Sequence, residues 1–174
     1  MKKLLLFAGL PGVGKSTISG IISKKIGAKI VDIDNLKKTD VDPTLVKNQI
    51  DPPEVRWVYY QKALKCAFDL FDRGMSVVII DEVFHLNSLR IQLESLCSEK
   101  CQVLWVEVMC PYNIVEKRLH FTAREGHILS TKEALKMHIL FKEVFESFYN
   151  QNHIVVNNEN NVNMDLLAES ILKA

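Results

Sequence analysis

The chain has 174 residues, 48% of them apolar and 25% charged, and its 22 basic and 21 acidic side chains leave a net charge of +1. That length and composition predict a single domain with its own core and exclude a disordered, collagen-like or low-complexity chain. The balanced charge offers no broad electrostatic footprint for long nucleic acid or an anionic membrane, and no stretch approaches the ~20 apolar residues of a membrane span.

Leu4–Ala8 is a short apolar run of the kind that forms a strand buried on both faces. After a glycine-rich turn, Ile18, Ile21, Ile22 and Ile26 recur at helical spacing over 15–26, and Gly27 is placed to end that helix. Lys29–Ile33 reads as a second strand. Residues 35–53 carry little pattern, with Asp51 and Pro52 expected as N-cap and first position of the next helix. Trp57, Tyr60, Leu64, Ala67 and Phe71 form its apolar stripe, and Gly74 ends it. Val77–Ile80 predicts a third buried strand. Asn87 is expected to cap a helix reaching about Ser98, and Gln102–Met109 predicts a fourth strand.

Pro111 opens a helix to about Phe121, followed by a polar stretch over 122–129. Ser130 and Glu133 form a capping-box pattern for a helix reaching about Tyr149. Ile154–Val156 predicts a fifth strand, Asn157–Asn161 a loop, and Met164–Leu172 a final helix. Strands alternating with helices predict an α/β fold, an open five-stranded parallel sheet covered on both faces, with ligands bound at the carboxyl ends of the strands. The four cysteines form neither a disulfide framework nor a zinc pattern, and the apolar start is cut short by the glycine-rich turn, so a cytoplasmic location is expected.

Gly9, Leu10, Pro11, Gly12, Val13, Gly14, Lys15 and Ser16 fit the pattern G-x-x-x-x-G-K-[ST] between a predicted strand and a predicted helix. Glycines let consecutive backbone N–H groups turn inward around phosphate oxygens, and the following helix adds the positive end of its dipole. Lys15 is expected to reach the β- and γ-phosphates of ATP, with the Ser16 hydroxyl on Mg²⁺ and Thr17 closing the cradle. Asp81, at the end of the third strand, is the second expected magnesium ligand, directly or through water. Glu82 beside it is a candidate for activating water, for touching substrate, or for neither. No Asn-Lys-x-Asp stretch reads guanine, and the chain has no room for the extra helical domain of a large ATPase. A compact P-loop kinase fold remains.

GLPGVGKST over 9–17, Asp32-Ile33-Asp34 closing the second strand and VVIID over 77–81 resemble the AAA-type small P-loop kinases, a group similar to chloramphenicol phosphotransferase, zeta-toxin-like kinases and polynucleotide kinase domains. Val108-Met109-Cys110-Pro111 followed by Arg118 resembles that group's strand, proline-initiated helix and lid arginine. The resemblance implies that Asp34 is the general base for an acceptor hydroxyl and that Arg118 and Arg124 are lid arginines over the transferring phosphoryl group. It implies that Arg90 faces the substrate and that residues 157–161 lie near the adenine. The group often shows Asp-x-x-Arg after the second strand. Here Lys37 holds the arginine's place, and a point charge replaces a bidentate fork.

A competing reading makes Asp34 the cap of a helix beginning at Asn35, and Asp32 is the rival base. Residues 35–56 are expected to form the acceptor side, where Lys37, Lys38, Lys47 and Arg56 supply cations, and residues 118–130 the lid. Three functions fit these residues. The first is phosphoryl transfer from Mg-ATP to a hydroxyl of a small molecule. The second is a nucleotide or polynucleotide 5′-hydroxyl kinase, and the third an ATP-binding switch or slow ATPase working through Glu82. The acceptor's identity and the oligomeric state are not written in any motif.

Overall fold

A computed structural model of the chain describes residues 2–39, 49–121, 130–149 and 151–174. Five strands form one all-parallel sheet: β1 (Lys3–Ala8), β2 (Lys29–Asp32), β3 (Val77–Asp81), β4 (Gln102–Met109) and β5 (His153–Asn157). Their spatial order is β2-β3-β1-β4-β5. β1 is completely buried, and its alternation divides the interior in two. Leu4, Leu6 and Ala8 face one core and Leu5 and Phe7 the other, as the period of two in a strand requires.

The helices follow that division. α3 (Pro53–Asp72) and α4 (Asn87–Cys97) cover the first face, contributing Tyr59, Tyr60, Leu64, Phe71, Leu89 and Leu93. α1 (Lys15–Ile26), α5 (Tyr112–Phe121) and α7 (Met164–Lys173) cover the second, contributing Ile18, Ile22, Val115, Leu119, Leu167 and Ile171. α2 (Ile33–Thr39) and α6 (Thr131–Val144) complete the set. Among the described residues no helix is long and apolar enough to cross a membrane.

Several boundaries differ from the sequence expectation. β2 stops at Asp32, and Ile33 opens α2 with its side chain fully buried. α3 begins one residue late, with Pro52 at the N-cap and Pro53 first in the helix. Asn87 is the first residue of α4 rather than its cap, a place taken by Leu86. α6 ends at Val144, and Phe145 turns extended, so residues 145–149 are not helical. The Ser130–Glu133 capping box forms with both of its hydrogen bonds, and Gly27 ends α1 at φ 68°.

The sheet register brings the functional ends together. Phe7 pairs with Asp81 and Asp32 pairs with Asp81, so β1, β2 and β3 finish level. The chain leaves β1 toward the β3–β2 side and later crosses to β4 and β5 on the other. The crevice for ligand therefore opens above the end of β1.

Candidate active site

The cradle grows directly out of β1. The Gly9 N–H donates to the Val83 carbonyl at 3.3 Å, and the Glu82 N–H donates to the Phe7 carbonyl at 3.1 Å, so the ends of β1 and β3 are knitted together. Two positions in this loop tolerate no side chain and are glycine. Gly9 has φ 146°, and a Cβ there would run into the Val108 carbonyl oxygen. Gly12 has φ 83°, and a Cβ would stand 2.8 Å from Val115 Cγ1 and 2.9 Å from Leu119 Cδ1. Bulk at either position would push the loop off the sheet and close the space for phosphate.

Side chains fix the loop from outside. The Asn158 amide donates to the Val13 carbonyl at 2.8 Å. His138 Nδ1 lies 2.7 Å from the Pro11 carbonyl oxygen, which only a protonated Nδ1 can satisfy. Lys15 Nζ donates to the Leu10 carbonyl at 3.2 Å, so its ammonium lies back against the loop. α1 starts at Lys15 with no side-chain cap, which leaves the first-turn N–H groups free for an anion.

Asp81 stands beneath this loop. Ser19 Oγ donates to Asp81 Oδ2 at 3.2 Å. Burial raises the Asp81 pKa, while Lys15 and the hydroxyls of Ser16 and Ser19 oppose that rise. A hydroxyl beside a carboxylate is an all-oxygen donor set, which suits a hard divalent cation that takes few protein ligands.

On the β2 side of the crevice lies a second cluster. Glu82 is buried, with Oε1 3.1 Å from Arg56 Nη1 and Oε2 4.0 Å from Lys37 Nζ. Lys37 also pairs with Asp51 at 3.0 Å. Burial alone would push the Glu82 pKa up, but the Lys37 and Arg56 charges outweigh it and bring it to about 2. Arg56 lies over the Phe141 ring at 4.8 Å, so α6 covers it from above.

Asp34 sits in the first turn of α2 with its side chain open to the crevice. Crowding by the surrounding protein, and then the Glu82 charge, raise its pKa to about 6, against the pull of Lys37 and Lys15. The capping duty falls on Asp32, whose Oδ1 accepts from the Asn35 N–H at 3.2 Å. Asp34 is thereby left without a capping role.

The predicted residues thus divide. The structure brings Lys15, Ser16, Asp81, Asp34 and Lys37 together, while Arg56, expected on the substrate side, is buried behind Glu82 and under the Phe141 ring, so that expectation is corrected. It places two other arginines elsewhere. Arg90 has no exposed surface, and its guanidinium donates to the carbonyls of Phe84 at 2.9 Å, Glu146 at 2.9 Å and Ser147 at 2.7 Å. It is a structural clamp, and the expectation that it faces substrate is corrected. Arg118 donates to the carbonyls of Asn158 at 2.7 Å and Glu159 at 3.2 Å. It props the β5–α7 loop instead of reaching over the cradle. Arg124 and most of the expected lid over 118–130, together with 40–48 of the expected acceptor segment, lie outside the described residues. Sequence reasoning missed Asp51 and His138, and named Asn158 only as part of the 157–161 loop expected near the adenine. Asp51 resembled a helix cap and His138 sits in an amphipathic stretch, so only their tertiary neighbours distinguish them.

A parallel sheet in this order, with a phosphate cradle after β1 and an acidic residue ending β3, defines a P-loop nucleotide-binding protein of the compact kinase type. The sequence then narrows the class. Residues 1–133 match the family described as adenylylsulphate kinase, and the chain belongs to that family. This is a different group from the three suggested by the motifs.

A shikimate kinase of Bacillus licheniformis is 24% identical over 161 residues, which cover 91% of this chain and 85% of that protein. Among solved structures, a sugar kinase of Janibacter has a TM-score of 0.75 at 19% identity, covering 99% of this chain and 94% of its own. The Mycobacterium tuberculosis APS kinase, in complex with AMPPNP and APS, has a TM-score of 0.67 at 18% identity, with 99% and 98% covered. The protein is a P-loop kinase.

Proposed function

We propose that the protein transfers the γ-phosphoryl group of Mg-ATP to a hydroxyl of a small molecule. The observation that carries this reading is Asp34. It is a carboxylate open to the crevice, relieved of capping by Asp32 and held near neutral pKa beside Lys15. Support comes from the relatives, which are named as kinases of small molecules: adenylylsulphate, shikimate and sugars.

The chemistry follows from the placements. The cradle N–H groups and Lys15 hold the β- and γ-phosphates and neutralise charge as it develops on the transferring group. Asp34 accepts the proton of the acceptor hydroxyl while that oxygen bonds to the γ-phosphorus. The bond from phosphorus to the β–γ bridging oxygen breaks, and its electron pair leaves with ADP. Ser16 and Asp81 are the residues that would hold Mg²⁺, which when bound shields the phosphate oxygens. Glu82 has both oxygens turned to cations, which argues against its activating water in an ATPase cycle.

The test is transfer of labelled γ-phosphate to a panel of small hydroxyl compounds. A labelled organic phosphate is expected, reduced at least ~10²-fold in Lys15→Ala. Label appearing only as inorganic phosphate would overturn the assignment. A second expectation concerns the cradle. Asn158→Ala removes the donor to the Val13 carbonyl and should weaken AMPPNP binding about tenfold, the equivalent of one lost hydrogen bond, with kcat at saturating ATP little changed. Titration calorimetry measures the former, and unchanged affinity would show that Asn158 does not shape the cradle.

A further inference from the structure

The four cysteines are free thiols, and two of them stand together. Cys97 is the last residue of α4, and its carbonyl accepts from the Lys100 N–H at 2.8 Å and the Cys101 N–H at 3.0 Å. The chain therefore makes one more helical turn before β4 begins at Gln102. Residues four apart in such a turn lie one above the other, about 6 Å apart at Cα, inside the span a disulfide bridges. Both side chains belong to the core that α3 and α4 cover. Cys97 has no exposed surface, whereas Cys101 is half-buried and within reach of solvent. The Cys97 thiol donates to the Cys101 sulfur. That contact, with Lys2 and Lys100 nearby, holds the Cys101 thiol below its ordinary pKa against the effect of burial. The same contact, and then burial, pushes Cys97 up. Cys110 is differently placed, since its thiol donates to the Asn158 carbonyl at 3.3 Å and burial raises its pKa.

We infer that Cys97 and Cys101 are a redox-active pair, converted by peroxides to an intramolecular disulfide and restored by thiol reductants. The accessible Cys101 thiolate attacks one peroxide oxygen. The O–O bond breaks, the leaving hydroxide takes a proton to become water, and the sulfur is oxidised to a sulfenic acid. The Cys97 sulfur then attacks the Cys101 sulfur. The S–O bond breaks, and its oxygen leaves as a second water with the Cys97 proton. One peroxide and two thiols thus give one disulfide and two waters. Cys97 suits the second step because its pKa is raised first by its bond to the Cys101 thiolate, and that bond ends when Cys101 becomes a sulfenic acid. The disulfide closes the joint between α4 and β4 and keeps Cys101 from the irreversible sulfinic state. Gln102 is in register with Lys3, the first residue of β1, so the pair lies at the end of the sheet opposite the cradle.

The experiment treats the reduced full chain with a small excess of hydrogen peroxide, blocks remaining thiols with iodoacetamide and cuts with trypsin, which separates Cys97 from Cys101 after Lys100. Residues 91–100 and 101–117 are expected as one linked species, two hydrogens lighter than their sum. Titratable thiols should fall from four to two, and dithiothreitol should restore all four. Residues 101–117 also contain Cys110, so Cys110→Ser is run beside wild type and should give the same linked species. In Cys97→Ala the Cys101 sulfenic acid has no resolving partner and should be captured by dimedone. Cys101→Ser, altered at the less buried site, should keep its three thiols under the same treatment even if Cys97→Ala does not fold. A link from Cys97 or Cys101 to Cys66 or Cys110, sulfinic acid at Cys101 with Cys97 still reduced, or a wild-type chain that retains all four thiols overturns the pairing.

Discussion

Replacing Asp34 with Asn lowers kcat for phosphoryl transfer by about 10²–10⁴-fold, the range general-base catalysis supplies. Affinity for AMPPNP stays close to wild type, because Asp34 lies on the β2 side of the crevice and not in the cradle. The asparagine is isosteric but cannot take the proton of the acceptor hydroxyl. The fold tolerates it, because Asp32 and not Asp34 satisfies the Asn35 N–H at the start of α2. The pH dependence gives an independent check. Asp34 works as the anion, and its pKa is raised to about 6. The value of kcat/KM should therefore be level above that pH and fall about tenfold per unit below it. Glu82 contributes to the rise after crowding by the surrounding protein, so Glu82→Gln should move the acid limb to lower pH. A wild-type rate in Asp34→Asn, or an acid limb that survives the substitution unchanged, would remove Asp34 from the chemistry.

What the sequence made legible was local. A strand buried on both faces needs only consecutive apolar residues, and β1, β3 and β4 announced themselves in that way. The cradle was legible for the same reason, since its glycines, Lys15 and Ser16 sit within one short stretch. Boundaries failed where two local patterns overlapped. Ile33 continues the apolar run of β2, yet its side chain is buried against the α3 face as the first residue of a helix capped by Asp32. The amphipathic pattern of α6 continues through Phe145 and Phe148, but the chain turns extended there and its carbonyls go to Arg90. The charge partners were the least legible. Glu82 meets an arginine 26 positions earlier, and Lys37 meets an aspartate 14 positions later. Such pairings exist only once the sheet has brought the ends of β2 and β3 level.

Arg90 shows how a residue type that suggests phosphate recognition can serve the fold instead, and it predicts the largest loss of stability. Phe84 has φ 49°, a left-handed backbone that a bulky residue rarely adopts. Its ring is held by Tyr60 at 4.9 Å and Trp105 at 5.2 Å, and its carbonyl by Arg90. From the other side the same guanidinium holds the Glu146 and Ser147 carbonyls and stacks over Phe148 at 4.1 Å. Arg90→Ala would leave three carbonyls without their donor, open a cavity in the core and release a strained turn that begins two residues after Glu82. Losses of this kind cost about 3–5 kcal/mol, which in a chain of this length lowers Tm by roughly 10 °C. Arg90→Lys should recover only part of it, because one ammonium cannot reproduce a planar fork shared among three acceptors. A substrate-binding arginine would behave in the opposite way, leaving thermal unfolding unchanged while raising KM for the acceptor. Calorimetric melting of the two variants beside wild type separates the two roles, and an unshifted Tm in Arg90→Ala would return Arg90 to the substrate side.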